Sequence, residues 1–485
     1  MTTVTSKRRL RSPEEYRESL RDGRRVFYRG ERVEDVTTHP FFKHAVEHAA
    51  LDYRLAHDPA YRELAVTADG YSRYFNVPGS PADLLARGKL IEAATRAGKT
   101  LVVLIKEIGT DALFALLGLR AQLGEPYASR IDAYFEHCRD EDLALCVGQT
   151  DVKGDRSLGP SQQPNPDAYV RVVERRANGI VVRGAKAHTS VSANANEMIV
   201  LPTREMGPDD ADYAVAFAIP IDTPGLTLVA SPYLASDGKV HAEHPISAAR
   251  KMVETLTIFD DVFVPNERVF LAGQHELAGP LARGFVEFHR FTAVSYKLPL
   301  LDALVGVALL AAQANGLERA GHVRDKLSYL VAYAETVRAL THHAAQRCRF
   351  VREVAIPDTL LVNIAKLHFA QGLHTAFQHV QDICGGLLVT YPAAEDLDHP
   401  DYGPALRHYL TGASGTPGAE RLRVMNLASD LTTGEYGGYQ AVLAVHAEGS
   451  IETEKLTILA QYDRELAMEY ARWLAGLDDS PWSRA

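Results

Sequence analysis

Cysteine is scarce, with four among 485 residues. Cys138, Cys146, Cys348 and Cys384 make no CxxC pair and no disulfide-scaffold spacing, so a reducing cytoplasm is the expected compartment. Positive charge is in deficit. Lys and Arg number 52 against 62 Asp and Glu, a net charge of −10, which argues against nonspecific binding to nucleic acid or an anionic membrane. A local basic pocket for a phosphate or carboxylate is compatible with that balance. Long hydrophobic runs are missing too. The longest, near residues 303–312, is too short to span a bilayer and reads as a buried helix. The basic start, residues 1–12, lacks an apolar core and is not expected to be a signal peptide. There is no Walker loop, no Gly-x-Ser-x-Gly elbow and no convincing GxGxxG after a strand, so a Rossmann-type dinucleotide site is not expected. His342 and His343 are adjacent on a predicted helix and point apart, which is not metal spacing.

What is present is an ordinary globular composition, 46% hydrophobic and 24% charged, over a length that suits two to four packed units. Residues 1–140 read mostly as helix. Ser12 before Pro13-Glu14-Glu15 is a helix cap with a tolerated proline and an acidic first turn, and residues 84–96 and 112–120 carry apolar side chains at helical spacing. From about 141 to 275 the pattern changes to short β runs, such as 198–201, 213–219 and 255–259, separated by Pro, Gly and Asp clusters. From about 276 to 485 it is helical again, with long periodic segments over 322–345 and 359–383 and loops at 412–418 and 434–438.

The most informative stretch is 149–190. It begins with a polar loop, Gln149-Thr150-Asp151-Val152-Lys153-Gly154-Asp155-Arg156-Ser157. A hairpin follows, read from Tyr169 to Glu174 and Ile180 to Arg183 with Asn178-Gly179 as a two-residue turn. It closes on Gly184-Ala185-Lys186-Ala187-His188-Thr189-Ser190. With Gly30-Glu31-x-Val33-x-Asp35-Val36-Thr37-x-His39-Pro40-x-Phe42 near the start, Phe259-Asp260-Asp261-Val262-Phe263-Val264-Pro265 closing the middle and the double glycine Gly385-Gly386 late in the chain, this stretch resembles the 4-hydroxyphenylacetate 3-hydroxylase and 4-hydroxybutyryl-CoA dehydratase flavoproteins, the dehydratase branch above all. The resemblance implies an α+β, acyl-CoA dehydrogenase-like fold. A helical N-terminal domain (1–140) would precede a middle β-barrel domain (141–275) and a C-terminal helical bundle (276–485). It also implies FAD held against the β-domain and a homotetramer or homodimer in which a neighbouring subunit helps bind the flavin.

Site residues follow from the same resemblance. Gln149, Thr150, Asp151 and Lys153 form one expected flavin wall and His188, Thr189 and Ser190 another. Their hydroxyl, amide and ammonium groups suit the polar edge of a flavin ring, although the same residues alone would also suit a solvated loop and a hairpin end. His289 and Tyr296 lie two helical turns apart and share a face. With Lys297 they are candidate acid/base or hydrogen-bonding groups in a substrate pocket, or a helix-packing surface. In the dehydratase branch the matching histidine and a cysteine seven residues later hold an iron–sulfur cluster. Here Tyr296 takes that cysteine's place and no cysteine precedes Cys138, so no cluster is expected. Glu254 and Glu452 fall where that branch has active-site carboxylates, Glu254 as a candidate base and Glu452 beside the flavin. The bland alternative for each is a surface carboxylate. The hydroxylase branch's Arg-x-x-Asp-Tyr pattern reads Ile108-Gly109-Thr110-Asp111-Ala112 here, without its arginine and tyrosine, and that branch's strand histidine is absent near Cys146-Val147.

The leading expectation is therefore an FAD-dependent oxidoreductase. It would be a monooxygenase that receives reduced flavin from a separate reductase and acts on a small organic substrate. Three alternatives stand beside it: a cluster-free dehydratase or isomerase, an acyl-CoA dehydrogenase-like desaturase with Glu254 as base, and a flavin-binding scaffold without turnover.

Overall fold

The computed structural model describes residues 10–234 and 238–478. The helical N-terminal region comprises α1 (Pro13–Glu18), α2 (Lys43–His57), α3 (Arg62–Ala65), α4 (Pro81–Ala97), α5 (Glu107–Leu123) and α6 (Tyr127–Asp140). Ser12 caps α1 as its sequence predicts, accepting from the Glu15 amide while Glu15 reaches back to the Ser12 amide. Ser80 caps α4 through the Asp83 amide in the same way. The first turns of α5 are buried all round, from Glu107 to Leu117. Gly109 lets the helix lie directly on the first middle strand, because a Cβ there would sit 2.1 Å from Cβ of Leu145.

The strands of the first two regions are β1 (Val26–Tyr28), β2 (Glu31–Val33), β3 (Leu145–Gly148), β4 (Arg171–Arg176), β5 (Gly179–Ser190), β6 (Glu197–Val200), β7 (Val215–Pro220), β8 (Leu226–Ala230), β9 (Glu254–Pro265) and β10 (Val269–Ala272). The expected barrel is corrected. The strands form two open sheets, one of six strands ordered β2-β1-β8-β9-β5-β4 and one of four ordered β10-β7-β6-β3. Two of the six come from residues 26–33, inside the region read as helical, because β1 pairs in parallel with β8. The hairpin turn is also shifted by one residue. Arg176 pairs with Gly179, so Ala177-Asn178 make the turn, and neither they nor Gly179 has a positive φ. Gly179 is required instead by close approach, since a Cβ would lie 2.3 Å from the Val264 carbonyl oxygen.

The rest is helical apart from a two-stranded antiparallel hairpin, β11 (Arg349–Val351) and β12 (Val354–Ile356): α7 (His275–Ala314), α8 (Gly321–Gln346), α9 (Thr359–Cys384), α10 (Leu387–Thr390), α11 (Gly403–Tyr409), α12 (Gly418–Thr432), α13 (Glu435–His446), α14 (Ile451–Gln461) and α15 (Arg464–Leu474). The glycine-rich segment 434–438, read as a loop, is the start of α13. The apolar run 303–312 is the end of the 40-residue α7, which is long and apolar enough to cross a membrane by length and composition. Its apolar stretch is 67% buried against protein instead, although Leu309 and Leu310 are each 49% exposed. Between Phe288 and Leu301 every residue of α7 is buried, as expected of a helix enclosed on all sides.

The contact of α5 with β3 fixes where the N-terminal helices meet the middle sheets. Gly109→Ala is expected to lower unfolding free energy by about 1–3 kcal/mol through overpacking. Gly118→Ala, where no atom lies within 4 Å of an added Cβ, is expected to raise it by up to about 1 kcal/mol. Urea unfolding of the two variants checks both signs.

Candidate functional site

The enclosed segment of α7 carries polar side chains that must find partners where water is absent. His289 places Nδ1 3.1 Å from Oδ2 of Asp111 on α5. The other oxygen of Asp111 accepts from Arg87 Nη2 at 2.7 Å and Thr292 Oγ1 at 2.9 Å. Phe285 stacks on the His289 ring at 5.0 Å. One to two turns on, the Tyr296 hydroxyl donates to Glu448, and Lys297 Nζ lies 3.0 Å from the other Glu448 oxygen. Lys366 of α9 stands 3.8 Å from Glu448 and 2.9 Å from Glu454.

Glu448 reaches this position from the loop after α13. Its own φ is +57°, and Gly449 has φ +113°. Gly449 passes so close to α7 that a Cβ would lie 2.4 Å from Arg290 Nη2, and Arg290 Nε donates to the Glu448 carbonyl at 2.9 Å. Burial alone would raise the Glu448 carboxyl. Lys297, Lys366 and His289 more than offset it and hold the group at about 2. Lys297 also moves down, but against its charged form: burial and the Lys366 charge outweigh Glu448 and bring it to about 8.

A second carboxylate faces this group from the sheet side. Glu254 opens β9 opposite Ser190 of β5. The Ser190 hydroxyl donates to it at 2.8 Å and the Tyr439 hydroxyl at 3.0 Å. Burial, helped by the Glu448 charge and opposed by those two hydroxyls, raises its pKa. Two carboxylates in one site are thus driven apart, Glu448 toward the base form and Glu254 toward the acid form, a pattern that separates proton acceptor from proton donor.

The loop and hairpin expected to hold a flavin divide into a clasp and a rim. Asp151 belongs to the clasp. It pairs with Lys186 at 2.9 Å and accepts from the Val170 amide and from Thr203. Lys186 also donates to the carbonyls of Gln149 and Leu201. Thr189 is fully buried and accepts from Thr257 at 3.0 Å. The rim comprises Gln149, Thr150, Lys153 and Ser190, all half-buried, and the more exposed His188. His188 has φ +56°, and partial burial with the Lys153 and His446 charges lowers its pKa. Burial, Arg156 and Arg204 likewise lower that of Lys153. Lys153, Arg156 and Arg204 make no salt bridge among the described residues, although Asp151 and Asp210 act on them at longer range. Glu452 stands apart from both groups, exposed in the first turn of α14 and paired with Lys455 at 2.7 Å. Sequence reasoning missed Glu448, Lys366, Tyr439 and Arg87, and saw Asp111 only as part of an incomplete pattern. The nearest available signal was Gly449, directly after Glu448 and three residues before the residue chosen.

The sequence model of the 4-hydroxyphenylacetate 3-hydroxylase N-terminal region matches residues 12–271, and that of its C-terminal region matches residues 278–476. The chain belongs to the 4-hydroxyphenylacetate 3-hydroxylase family. Within it, 4-hydroxybutyryl-CoA dehydratase/vinylacetyl-CoA-Delta-isomerase of Clostridium aminobutyricum is 31% identical over 96% of this chain and 100% of its own. The oxygenase component of 4-hydroxyphenylacetate 3-monooxygenase from Thermus thermophilus is 31% identical over 92% and 93%. Among solved structures, an oxygenase component of 4-hydroxyphenylacetate 3-monooxygenase complexed with FAD superposes with a TM-score of 0.88, at 30% identity over 96% of this chain and 98% of its own. Glutaryl-coenzyme A dehydrogenase gives a TM-score of 0.51 at 15% identity over 90% and 95%, a likeness of fold alone.

The clasp and the rim separate experimentally. Asp151→Ala strands Lys186 in the interior and is expected to cost about 3–5 kcal/mol of stability, whereas Lys153→Ala is expected to stay within about 0.5 kcal/mol of the parent. Denaturant unfolding of the two variants distinguishes them.

Proposed function

We propose that this protein is the FAD-dependent oxygenase component of a two-component monooxygenase, supplied with FADH2 by a separate reductase and acting on a small organic substrate. The observation that carries the reading is the donor set. The rim residues Gln149, Thr150, Ser190 and His188 offer the amide, hydroxyl and imidazole groups that suit a flavin ring edge. Lys153, Arg156 and Arg204, free of salt bridges among the described residues, suit its pyrophosphate. These residues fit FAD, and the relatives named as oxygenase components support the same reading. Reduced FAD, when bound, would supply the electrons that activate oxygen.

The remaining chemistry falls to the chain. The buried walls of α7 exclude water from the reacting centre. Lys297 presents a cation to developing negative charge, and burial shifts Glu254 toward its protonated form. Tyr296 stands where a cluster-binding relative would need a thiolate, and its hydroxyl is committed to Glu448. This favours oxygen chemistry over cluster-dependent dehydration. The identity shared with the dehydratase supports one second reading, a cluster-free dehydratase or isomerase using Glu254 and His289. We also place the protein in a homodimer or homotetramer. The exposed Leu466, Met468, Tyr470 and Leu474 of α15 support an interface with another copy.

With FADH2 supplied enzymatically, the protein is expected to consume oxygen and form an oxygenated product from an added phenol or related small molecule. Conversion of a thioester in strict anaerobiosis would select the second reading instead. Lys153→Ala is expected to raise the Kd for FAD about tenfold, the loss of one charge-assisted contact. Activity is expected to fall through about pH 8 as Lys297 loses its proton. Lys297→Arg, always charged, is expected to move that limb upward.

A further inference from the structure

The N-terminal helices enclose two carboxyls that the site around α7 does not use. Asp52 of α2 and Glu107, the first residue of α5, are 3% and 0% exposed. Between them lies Tyr74, from the short turn Arg73–Phe75. Its hydroxyl is 3.2 Å from Oδ1 of Asp52 and 3.3 Å from Oε1 of Glu107. The second oxygen of Glu107 accepts from the Lys106 amide at 3.2 Å. The second oxygen of Asp52 is sealed from solvent and has no partner among the described residues.

A tyrosine hydroxyl carries one hydrogen and an ionised carboxylate carries none. One of the two contacts uses the hydrogen of Tyr74, so the other needs a hydrogen of its own. The nearby cations do not relieve this. Lys106 Nζ is paired with Asp142 at 2.5 Å and Arg87 with Asp111 at 2.7 Å. An ionised Asp52 would leave a bare anionic oxygen in the interior, which is costly. A protonated Asp52 donates from Oδ1 to Tyr74 while Tyr74 donates to Glu107. Both contacts are then hydrogen bonds, and the bare oxygen is uncharged.

We propose that Asp52, Tyr74 and Glu107 form a site that binds one proton as the chain folds, and that loss of this proton in alkali sets two charges against each other between α2 and α5. The other charged and titratable groups that face the pair are Lys106 at the cap of α5, Arg87 from α4, Tyr53 from α2 and Tyr16 from α1, with Asp142 behind Lys106. Burial, then the Glu107 charge, raises Asp52 well above the usual carboxylate range, and burial raises Glu107. The pair therefore holds its proton more tightly in the folded chain than in the unfolded one. Its contribution to stability is complete below the ordinary carboxyl range, about pH 4, and is lost as pH rises through the folded value. The device is independent of the flavin chemistry and limits the fold from the alkaline side.

The test is urea unfolding of the full-length protein with FAD present, at steps of pH from about 5 upward. Asp52→Asn copies the protonated acid, with an amide to donate to Tyr74 and no proton to lose. While the folded pair keeps a proton that the unfolded chain has released, the folding constant of the parent is expected to fall about tenfold per pH unit relative to Asp52→Asn. Glu107→Gln leaves one carboxyl for the Tyr74 hydrogen. It is expected to reduce the same slope, and it serves where Asp52→Asn does not fold. Infrared difference spectra of the folded proteins at neutral pH are expected to show the carbonyl stretch of a protonated carboxyl in the parent that Asp52→Asn lacks. Parallel stability–pH curves for the parent and the variants would overturn the proposal. So would equal protonated-carboxyl bands in the parent and Asp52→Asn.

Discussion

The structure turns on a helix segment, from Phe288 to Leu301, that is buried throughout and yet carries cations. Arg290 and Lys297 of α7, with Lys366 of α9, lie in an interior that would expel them unpaired. Glu448 and Glu454 answer them from one short segment. That requirement explains the otherwise costly backbone at Glu448 and Gly449, where a left-handed turn brings a loop hard against Arg290. It also explains why α14 begins where it does, anchored through the fully buried Glu454, while the next helix, α15, stays exposed.

The sheet side is built by the same rule with a different outcome. Asp151 and Lys186 satisfy each other inside the polar loop, and the hydroxyls of Thr189, Thr255 and Thr257 form a closed chain beneath it. With the interior groups occupied, the rim residues are left free to meet a ligand. Glu254 bridges the two halves, bonded to Ser190 on one side and Tyr439 on the other. The site is thus an interface between a sheet that offers hydrogen-bond donors and a helix bundle that offers fixed charge. The first suits the holding of a polar cofactor, the second suits proton transfer in a dry space.

Much of this was legible in the chain. The helix, sheet and helix succession followed from a change of hydrophobic period, and the cap at Ser12 from one residue and its neighbours. His289, Tyr296 and Lys297 could be placed on one helix because spacing alone decides it, and Glu254 because it opens a readable strand. The rest depended on contacts distant in sequence. Asp151 and Thr189 look as exposed as Lys153 in a string of letters; only the position of Lys186 and Thr257 across the sheet turns them inward. Glu448 and Glu452 lie four residues apart, and the choice between them is made by Arg290 and Lys297, some 150 residues away. The barrel failed as an expectation because closure needs an edge-to-edge pairing that strand patterns do not encode, and because β1 and β2 arrive from the N-terminal region.

The central claim is that Glu448 exists to neutralise the cations of α7, and a double-mutant cycle on stability tests it most directly. Lys297→Met and Glu448→Gln are each expected to cost about 3–5 kcal/mol, since each strands a buried charge. The pair together should cost less than their sum by about 1–3 kcal/mol or more. Additive losses would show that the two groups do not depend on each other and would contradict the account.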